Sequence, residues 1–415
     1  MSSSSKSTPR APVWRFVLVG LVALLVLAGV ALLSSRVQNR LLWEWQRLTA
    51  RVHDTVNPHP VTVSTPVSTP APTVPAIAVL ATPSPNPQVT ALPSATPLVL
   101  PSAFEIRGIK QTFQHPNNCG PATLATDLTF WGWMGTQANT ATVLKPDPRD
   151  LNVSPSEMTA FAKSVGFNTL IRVGGTPEQI KRFLIAGIPV IVEKATLLAD
   201  DDPTGGGWAG HYTLVTGYSD DKGIFTTQDS LEGPNLVVLY KGFINQWRSF
   251  DYLYLLIYPP AREAEVQALL GAEADPTANF KDAAQQAQQE ASTLTGQEQA
   301  FAWFNLGSNL NALGDYPNAA AAFDAARRAG LPWRMLWYQF GPYEAYDKVG
   351  RYQDAMNLAT ETLSARDNLE ESYYWRGLVR LALGDKTGAV EDWKTALKYN
   401  RNFALAAKQL ELAGK

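Results

Sequence analysis

The chain is 415 residues long, more than one ordinary domain holds, and its 45% apolar and 10% aromatic content is enough to fill real cores. A formal net charge of −2 excludes the bulk attraction on which non-specific nucleic-acid binding depends, so no nucleic-acid partner is expected. The single cysteine rules out an internal disulfide and leaves either an inert buried thiol or a reactive one.

Residues 1–15 are a basic tail with Lys6, Arg10 and Arg15 and no acid. Residues 16–35 read as a transmembrane anchor. Phe16 to Leu33 carries no charge, and as a helix rising ~1.5 Å per residue it spans about 27 Å, close to the roughly 30 Å of a hydrocarbon core. No small-x-small cleavage pattern follows Leu33, and the stretch exceeds an ordinary signal core, so the anchor is read as uncleaved. Residues 36–54 read as a short juxtamembrane helix. Its Arg36, Arg40, Arg47 and Arg51 balance the basic tail, so charge counting assigns no orientation. Residues 55–104 are a Pro/Thr/Ser-rich linker without Lys, Arg, Asp or Glu before Glu105. Such a stretch builds no core, favours extended polyproline-like backbone and reaches ~150 Å at most. Uncharged stalks of this kind suit surface spacers, which places the remainder of the chain outside the cytoplasm on a single-pass anchor.

Residues 105–260 read as one α+β domain. Asn117-Asn118-Cys119-Gly120-Pro121 resembles a helix start, with Leu124, Leu128 and Trp131 following at helical spacing. Pro155 to Val165 predicts a second helix ended by Gly166, and Thr176-Pro177-Glu178 opens a third that stops at Gly187. Strand-like runs follow at Pro189–Glu193, His211–Tyr218, Ile224–Gln228, Leu236–Tyr240 and Tyr252–Tyr258. Helices first and strands later predict a helical lobe on an antiparallel sheet.

The candidate chemistry lies in this domain. A thiol is a poor nucleophile at its ordinary pKa of about 8.5, and a good one when an imidazolium or a helix N-terminus stabilises the thiolate. Cys119 sits at a helix start. Of the four histidines, His53 and His59 lie by the anchor and linker, and His115 shares the loop of Cys119. His211 remains, opening a strand after the flexible Gly205-Gly206-Gly207 approach. A third group should orient the imidazole, and Asp229 at the end of the next strand is the natural candidate. Asp220 and Asp221 read as solvated turn residues. One cysteine and two nearby histidines make no usual metal-ligand set, and no phosphate-binding loop is present, so no metal and no cofactor are expected.

Gln114-His115-Pro116-Asn117-Asn118-Cys119-Gly120-Pro121-Ala122, then Gly210-His211-Tyr212-Thr213-Leu214-Val215-Thr216-Gly217-Tyr218, then Gln228-Asp229, resemble the bacteriocin-processing, double-glycine-leader cysteine peptidases and their stand-alone relatives. The resemblance implies a papain-like fold in which Cys119 is the nucleophile, His211 the base and acid, and Asp229 the orienter. It also implies a glutamine upstream of the cysteine that donates to the oxyanion together with the Cys119 backbone N–H. That glutamine commonly lies six residues upstream. Here position 113 is Phe, the candidate is Gln114, and Gln111 is a second possibility. Leader-processing domains are usually fused to an exporter on the cytoplasmic side, so double-glycine leader cleavage is not carried over.

Residues 261–415 read as helical. Thr277 to Gln299 predicts a lead-in helix. Gly314, Gly350 and Gly384 mark turns 36 and 34 residues apart, each followed by an aromatic- and alanine-rich helix. That period and these motifs resemble tetratricopeptide repeats, with Asn400 to Leu412 as a capping helix. The middle unit, with Pro332 and Pro342, departs from the pattern. The expected function is a membrane-anchored extracytoplasmic cysteine peptidase that hydrolyses peptide bonds of a peptide or protein substrate through a thioester. Its repeats would recruit a protein partner. The alternative is an inactive peptide-binding scaffold with a repeat assembly module.

Overall fold

Alternation of apolar side chains makes a sheet that is buried on both faces. In the computed structural model, which describes residues 62–67, 100–147, 150–198 and 207–414 with Trp45 and Leu48, this sheet has seven antiparallel strands. They are β1 (Ala103–Glu105), β2 (Asn168–Arg172), β3 (Val190–Leu198), β4 (Gly207–Ser219), β5 (Ile224–Asp229), β6 (Gly233–Leu239) and β7 (Tyr254–Tyr258). Their order is β2-β7-β3-β4-β5-β6, with β1 added along β4. Val190 and Val192 of β3 and Tyr254, Leu256 and Tyr258 of β7 point into one core, while Ile191, Leu255 and Ile257 between them point into another. A period of two on strands buried on both faces requires just this division.

Helices cover both cores. On the second face lie α1 (Cys119–Phe130), which contributes Leu124 and Leu128, and α3 (Pro155–Ser164), which contributes Met158 and Phe161. Beside α1 packs α2 (Gln137–Leu144). On the first face lie α4 (Pro177–Ile185), with Ile180, Phe183 and Leu184, and α5 (Tyr240–Arg248), with Phe243 and Trp247. Two starts follow capping chemistry. Ser154 and Glu157 form a reciprocal capping box at α3, and the Thr176 hydroxyl accepts from the Gln179 N–H at α4, where Pro177 fills the first turn.

Several elements differ from the sequence expectation. β1, β2, α2 and α5 are additions. Tyr240, expected to end a strand, instead opens α5, because Tyr240, Phe243, Ile244 and Trp247 fall on one helical stripe against the sheet. The folded body also begins before residue 105: Ala103, Phe104 and Glu105 pair with Ser219, Tyr218 and Gly217.

The C-terminal region is helical throughout: α6 (Glu263–Leu270), α7 (Pro276–Thr293), α8 (Gly296–Ala312), α9 (Tyr316–Ala329), α10 (Gly341–Lys348), α11 (Tyr352–Ala365), α12 (Glu370–Ala382), α13 (Lys386–Tyr399) and α14 (Ala404–Ala413). The single helix expected over Thr277–Gln299 is two helices, broken where Gly296 takes φ +61°. Gly314, Gly350 and Gly384 all hold positive φ at the inter-helix turns, and Asp315 and Asp385 cap the helices that follow. A Cβ on Gly307 would stand 2.8 Å from the Phe323 ring, and one on Gly377 would collide with Trp393. Both pairs are glycine against an aromatic 16 residues on, so the seams of α8/α9 and α12/α13 are built alike. The middle unit departs as its prolines foretell: a 3-10 turn at Trp333–Trp337 precedes the short α10.

This region packs directly on the sheet domain. Asn305 Nδ2 donates to the Arg248 carbonyl (2.7 Å), Asn309 Nδ2 to Asp251 (2.8 Å), Gln339 Nε2 to the Ser249 carbonyl (2.8 Å) and Asn152 Nδ2 to Glu371 (3.0 Å).

The expected anchor at residues 16–35 lies outside the described residues, among which no helix is long and apolar enough to cross a membrane. Most of the linker lies outside them as well. Trp45 and Leu48 are helical and exposed, and belong to a unit of residues 1–56 and 199–206; all other described residues belong to the unit of 57–198 and 207–415. The linker is expected to build no core of its own, and its residues 62–67 lie against the helical one. Val63 is buried among the helices, its N–H donates to the Leu331 carbonyl (3.0 Å), Thr62 bridges Pro332, and Arg327 Nε donates to the Ser64 carbonyl (2.8 Å). An uncharged valine needs no core of its own when a neighbouring one accepts it.

Candidate active site

Cys119 is the first residue of α1, and its loop is clamped from α2. The buried Gln137 side chain accepts from the His115 N–H and from Asn118 Nδ2 (both 2.9 Å) and donates to the Phe113 carbonyl (2.8 Å). Asn117 takes φ +53°, a left-handed turn that Asn tolerates, and its carbonyl accepts from Lys145 Nζ. With Asn118 committed to Gln137, α1 has no side-chain cap and no acid in its first turn. Its N-terminal N–H groups and partial positive charge are therefore turned to the Cys119 end. Gly120 lets this end sit close: a Cβ there would meet Val153 at 3.2 Å and Tyr212 at 3.5 Å.

His211 and Asp229 come from adjacent strands, β4 and β5. His211 Nε2 meets Asp229 Oδ1 at 2.8 Å, with both residues buried. That leaves Nδ1 as the ring nitrogen free to act on the Cys119 thiol. The same Asp229 oxygen accepts from the Leu231 and Glu232 N–H groups (2.9 and 3.1 Å), and the Thr123 hydroxyl ties α1 to the Tyr212 carbonyl (3.2 Å). Two of the residues named from sequence, His211 and Asp229, are thus hydrogen-bonded, and Cys119 lies within electrostatic reach of His211.

The electrostatics favour charge separation between Cys119 and His211. Burial alone would raise the Cys119 pKa, but the hydrogen bond and charge of His211, the Tyr212 backbone N–H and the Lys145 charge together bring it below the ordinary value. Burial alone would lower that of His211; hydrogen bonds to Asp229 and Cys119 and their charges instead raise it to about 9. Burial opposes ionisation of Asp229 too, and the imidazolium outweighs it, holding the carboxyl well below the usual range. Thiolate and imidazolium therefore coexist from the lowered Cys119 value up to about pH 9.

The structure separates the two glutamines. Gln111 Nε2 donates to the Asp229 carbonyl (2.9 Å), which places it behind the carboxylate. The Gln114 N–H donates to the Ser230 carbonyl, and its Oε1 accepts from the Ser230 hydroxyl (both 2.8 Å). With Oε1 occupied, the NH2 end is the end left to donate. Asp220, read as a turn residue, pairs with Lys181 at 2.6 Å and accepts from Tyr240, away from these three residues. The clamp by Gln137, the cations Lys145 and Lys194, and Ser230 were not found from the sequence, because each reaches the site across distant elements without a motif of its own.

Residues 105–254 match the family model described as the Peptidase C39-like family. The region is a C39-like α+β domain with a cysteine-peptidase fold, followed by a helical C-terminal region. Similar solved structures include a C39-like peptidase from Bacillus anthracis (16% identity, covering 37% of this chain and 96% of that one, TM-score 0.30). The peptidase domain of Streptococcus ComA, a bifunctional ABC transporter of a quorum-sensing pathway, is similar at 18% identity over 37% of this chain and 99% of that one, TM-score 0.28. A double-glycine-motif protease from an AMS/PCAT transporter, solved with its leader peptide, is similar at 16% identity over 38% and 94%, TM-score 0.28. No curated protein matches the chain.

Proposed function

We propose that this chain is a cysteine peptidase that cleaves peptide bonds by acyl transfer. The observation that best supports it is the buried His211–Asp229 hydrogen bond beside Cys119 at a helix N-terminus. Sγ attacks the scissile carbonyl carbon, and the imidazolium gives its proton to the departing amine. Water then attacks the thioester with His211 as base, releasing the acid and restoring the thiolate. Gln114 Nε2 and the Cys119 N–H are the donors assigned to the oxyanion. In the same reading residues 16–35 hold the enzyme on a membrane with its domains extracytoplasmic. The helical region, built on tetratricopeptide-like pairs, serves as a docking surface for a protein.

The test uses the full chain in mild detergent. Iodoacetamide labelling of Cys119, titrated from about pH 4 to about pH 9, should show fast alkylation well below the ~8.5 of a free thiol, and cleavage of a quenched peptide library should disappear in Cys119→Ala. Labelling only near the free-thiol value, with no cleavage, would sink the peptidase reading.

Gln114→Ala should lower kcat by about 10²- to 10³-fold, the cost of one oxyanion donor, with the labelling midpoint left in place. A midpoint that moves with kcat unchanged would instead assign Gln114 to the ground-state ion pair.

A further inference from the structure

The helical region reaches the reacting pair. Tyr338 lies between the Trp333–Trp337 turn and α10, and its ring rests on Gly210, the residue immediately before His211. A Cβ on Gly210 would stand 3.0 Å from Tyr338 Cδ1 and 2.7 Å from Phe250 Cζ, so the backbone there is gripped between two rings with no room for a methyl group.

The grip is braced from both regions. Trp208 stacks on Phe250 with centroids 5.6 Å apart and meets Tyr338 edge-on at 5.9 Å, and Phe301 of α8 closes the cluster at 6.0 Å. Arg334 Nη1 donates to the Trp208 carbonyl (3.4 Å), and Gln339, next to Tyr338, donates to the Ser249 carbonyl (2.8 Å). Tyr338 is also deep enough to feel Cys119. Burial first, and then the charges of Cys119 and Glu193 against that of Arg334, push its hydroxyl up to about 12, so it stays a neutral phenol beside the thiolate.

We propose that Tyr338 is a positioning residue: the helical region completes the active site by fixing Gly210, and through it the imidazole of His211, against Cys119. The proposal rests on the reading of Cys119 and His211 as the reacting pair. The bond to Asp229 sets the ring's rotation, but nothing in it fixes the height of the His211 backbone over Sγ. The Tyr338 ring does, because interiors are packed too tightly for a peptide to drift while its neighbours stay still.

The test compares full-length wild type with Tyr338→Ala, Tyr338→Phe and Gly210→Ala, reading the pH profile of Cys119 alkylation and the melting temperature. Tyr343→Phe is the control. It loses the bond of Tyr343 to the Thr362 hydroxyl (3.0 Å) in the same helical region, away from the site. Tyr338→Ala is expected to slow alkylation near pH 6 by about tenfold, a midpoint shift of about one pH unit, with the alkaline rate unchanged. Tyr338→Phe keeps the ring on Gly210 and should stay within about threefold of wild type, since the packing is retained. Gly210→Ala forces the rings apart and should shift the profile as Tyr338→Ala does, which keeps the test open should the latter fail to fold. Tyr343→Phe should lower the melting temperature alone. Wild-type profiles in both Tyr338→Ala and Gly210→Ala, or an equal shift in Tyr343→Phe, would overturn the proposal. Slow labelling of the wild type itself at pH 6 would instead overturn the peptidase reading beneath it.

Discussion

His211→Ala should abolish peptide hydrolysis, by on the order of 10⁴- to 10⁶-fold, and should move the Cys119 labelling midpoint above the ~8.5 of a free thiol. Burial is the largest single influence on this thiol and acts to raise its pKa; the imidazole, by hydrogen bond and by charge, leads the influences that together outweigh it, followed by the Tyr212 N–H and Lys145. Without the imidazole the remaining helpers are one backbone donor and one more distant cation, so burial wins. With a midpoint above ~8.5, less than about one thiol in a hundred is thiolate near pH 6. The more basic thiolate is intrinsically more nucleophilic, with a Brønsted slope of about 0.4–0.5, which returns part of the loss. A net decrease of about ten- to a hundredfold in alkylation rate is therefore expected. Labelling of His211→Ala at the wild-type rate near pH 6 would show that the helix N-terminus alone activates Cys119.

Asp229 offers a second large effect, and two substitutions divide its roles. Its Oδ1 accepts three bonds, from His211 Nε2 and from the Leu231 and Glu232 N–H groups. Asp229→Ala removes all three acceptances inside a buried site. It should cost about 2–4 kcal/mol of stability and reduce kcat by about 10³- to 10⁴-fold. Asp229→Asn can present its amide oxygen to the same three donors, so geometry survives and only the charge is lost. The pH dependence follows from the directions of the shifts. His211 is raised to about 9 in the folded protein, so its pairing stabilises the fold fully below its unfolded value of about 6.5, and that contribution is lost as pH rises through 9. Asp229 is lowered, so its contribution is present above the ordinary carboxylate range and lost only in strong acid. Asp229→Asn should therefore pull the alkaline limb of the alkylation profile down by about one pH unit or more, and should lower the melting temperature at neutral pH, though by less than Asp229→Ala does. An alkaline limb that stays at about 9 would mean that Cys119, and not Asp229, holds the proton on the imidazole.

Scarcity made part of this site legible. With one cysteine and four histidines, the choice of Cys119 and His211 followed from placing a helix start and a strand start, both marked by local signals: Gly-Pro after Cys119 and the glycines before His211. Asp229 was legible because it ends the next strand. Gln137, Ser230 and Tyr338 were not, since each acts across a long sequence separation and each alone has an ordinary structural reading. The same division runs through the fold. β3, β4 and β7 carry long apolar runs and were visible as strands, whereas β1 has three residues and gains its place only by pairing with β4. α5 was missed because Gly242 and four polar residues, Lys241, Asn245, Gln246 and Arg248, dilute its stripe, which tertiary packing of Phe243 and Trp247 restores. In the helical region the glycine period of 36 and 34 residues exposed the pairs, while the break at Gly296 was hidden inside an alanine- and glutamine-rich run that would propagate as helix on propensity alone.

The attachment of Val63 has a mechanical consequence. Tension passed along the chain from residue 61 meets, among the described residues, Thr62–Val67 first, where Val63 is sunk among the helices and Arg327 holds the Ser64 carbonyl. Only after that attachment peels away does tension pass through residues 68–99 to β1, which lies along the strand that carries His211. Along that path the helical region takes the tension before the sheet does. The strand that holds the imidazole at its working height stands behind it as behind a fuse, unstressed until Val63 lets go.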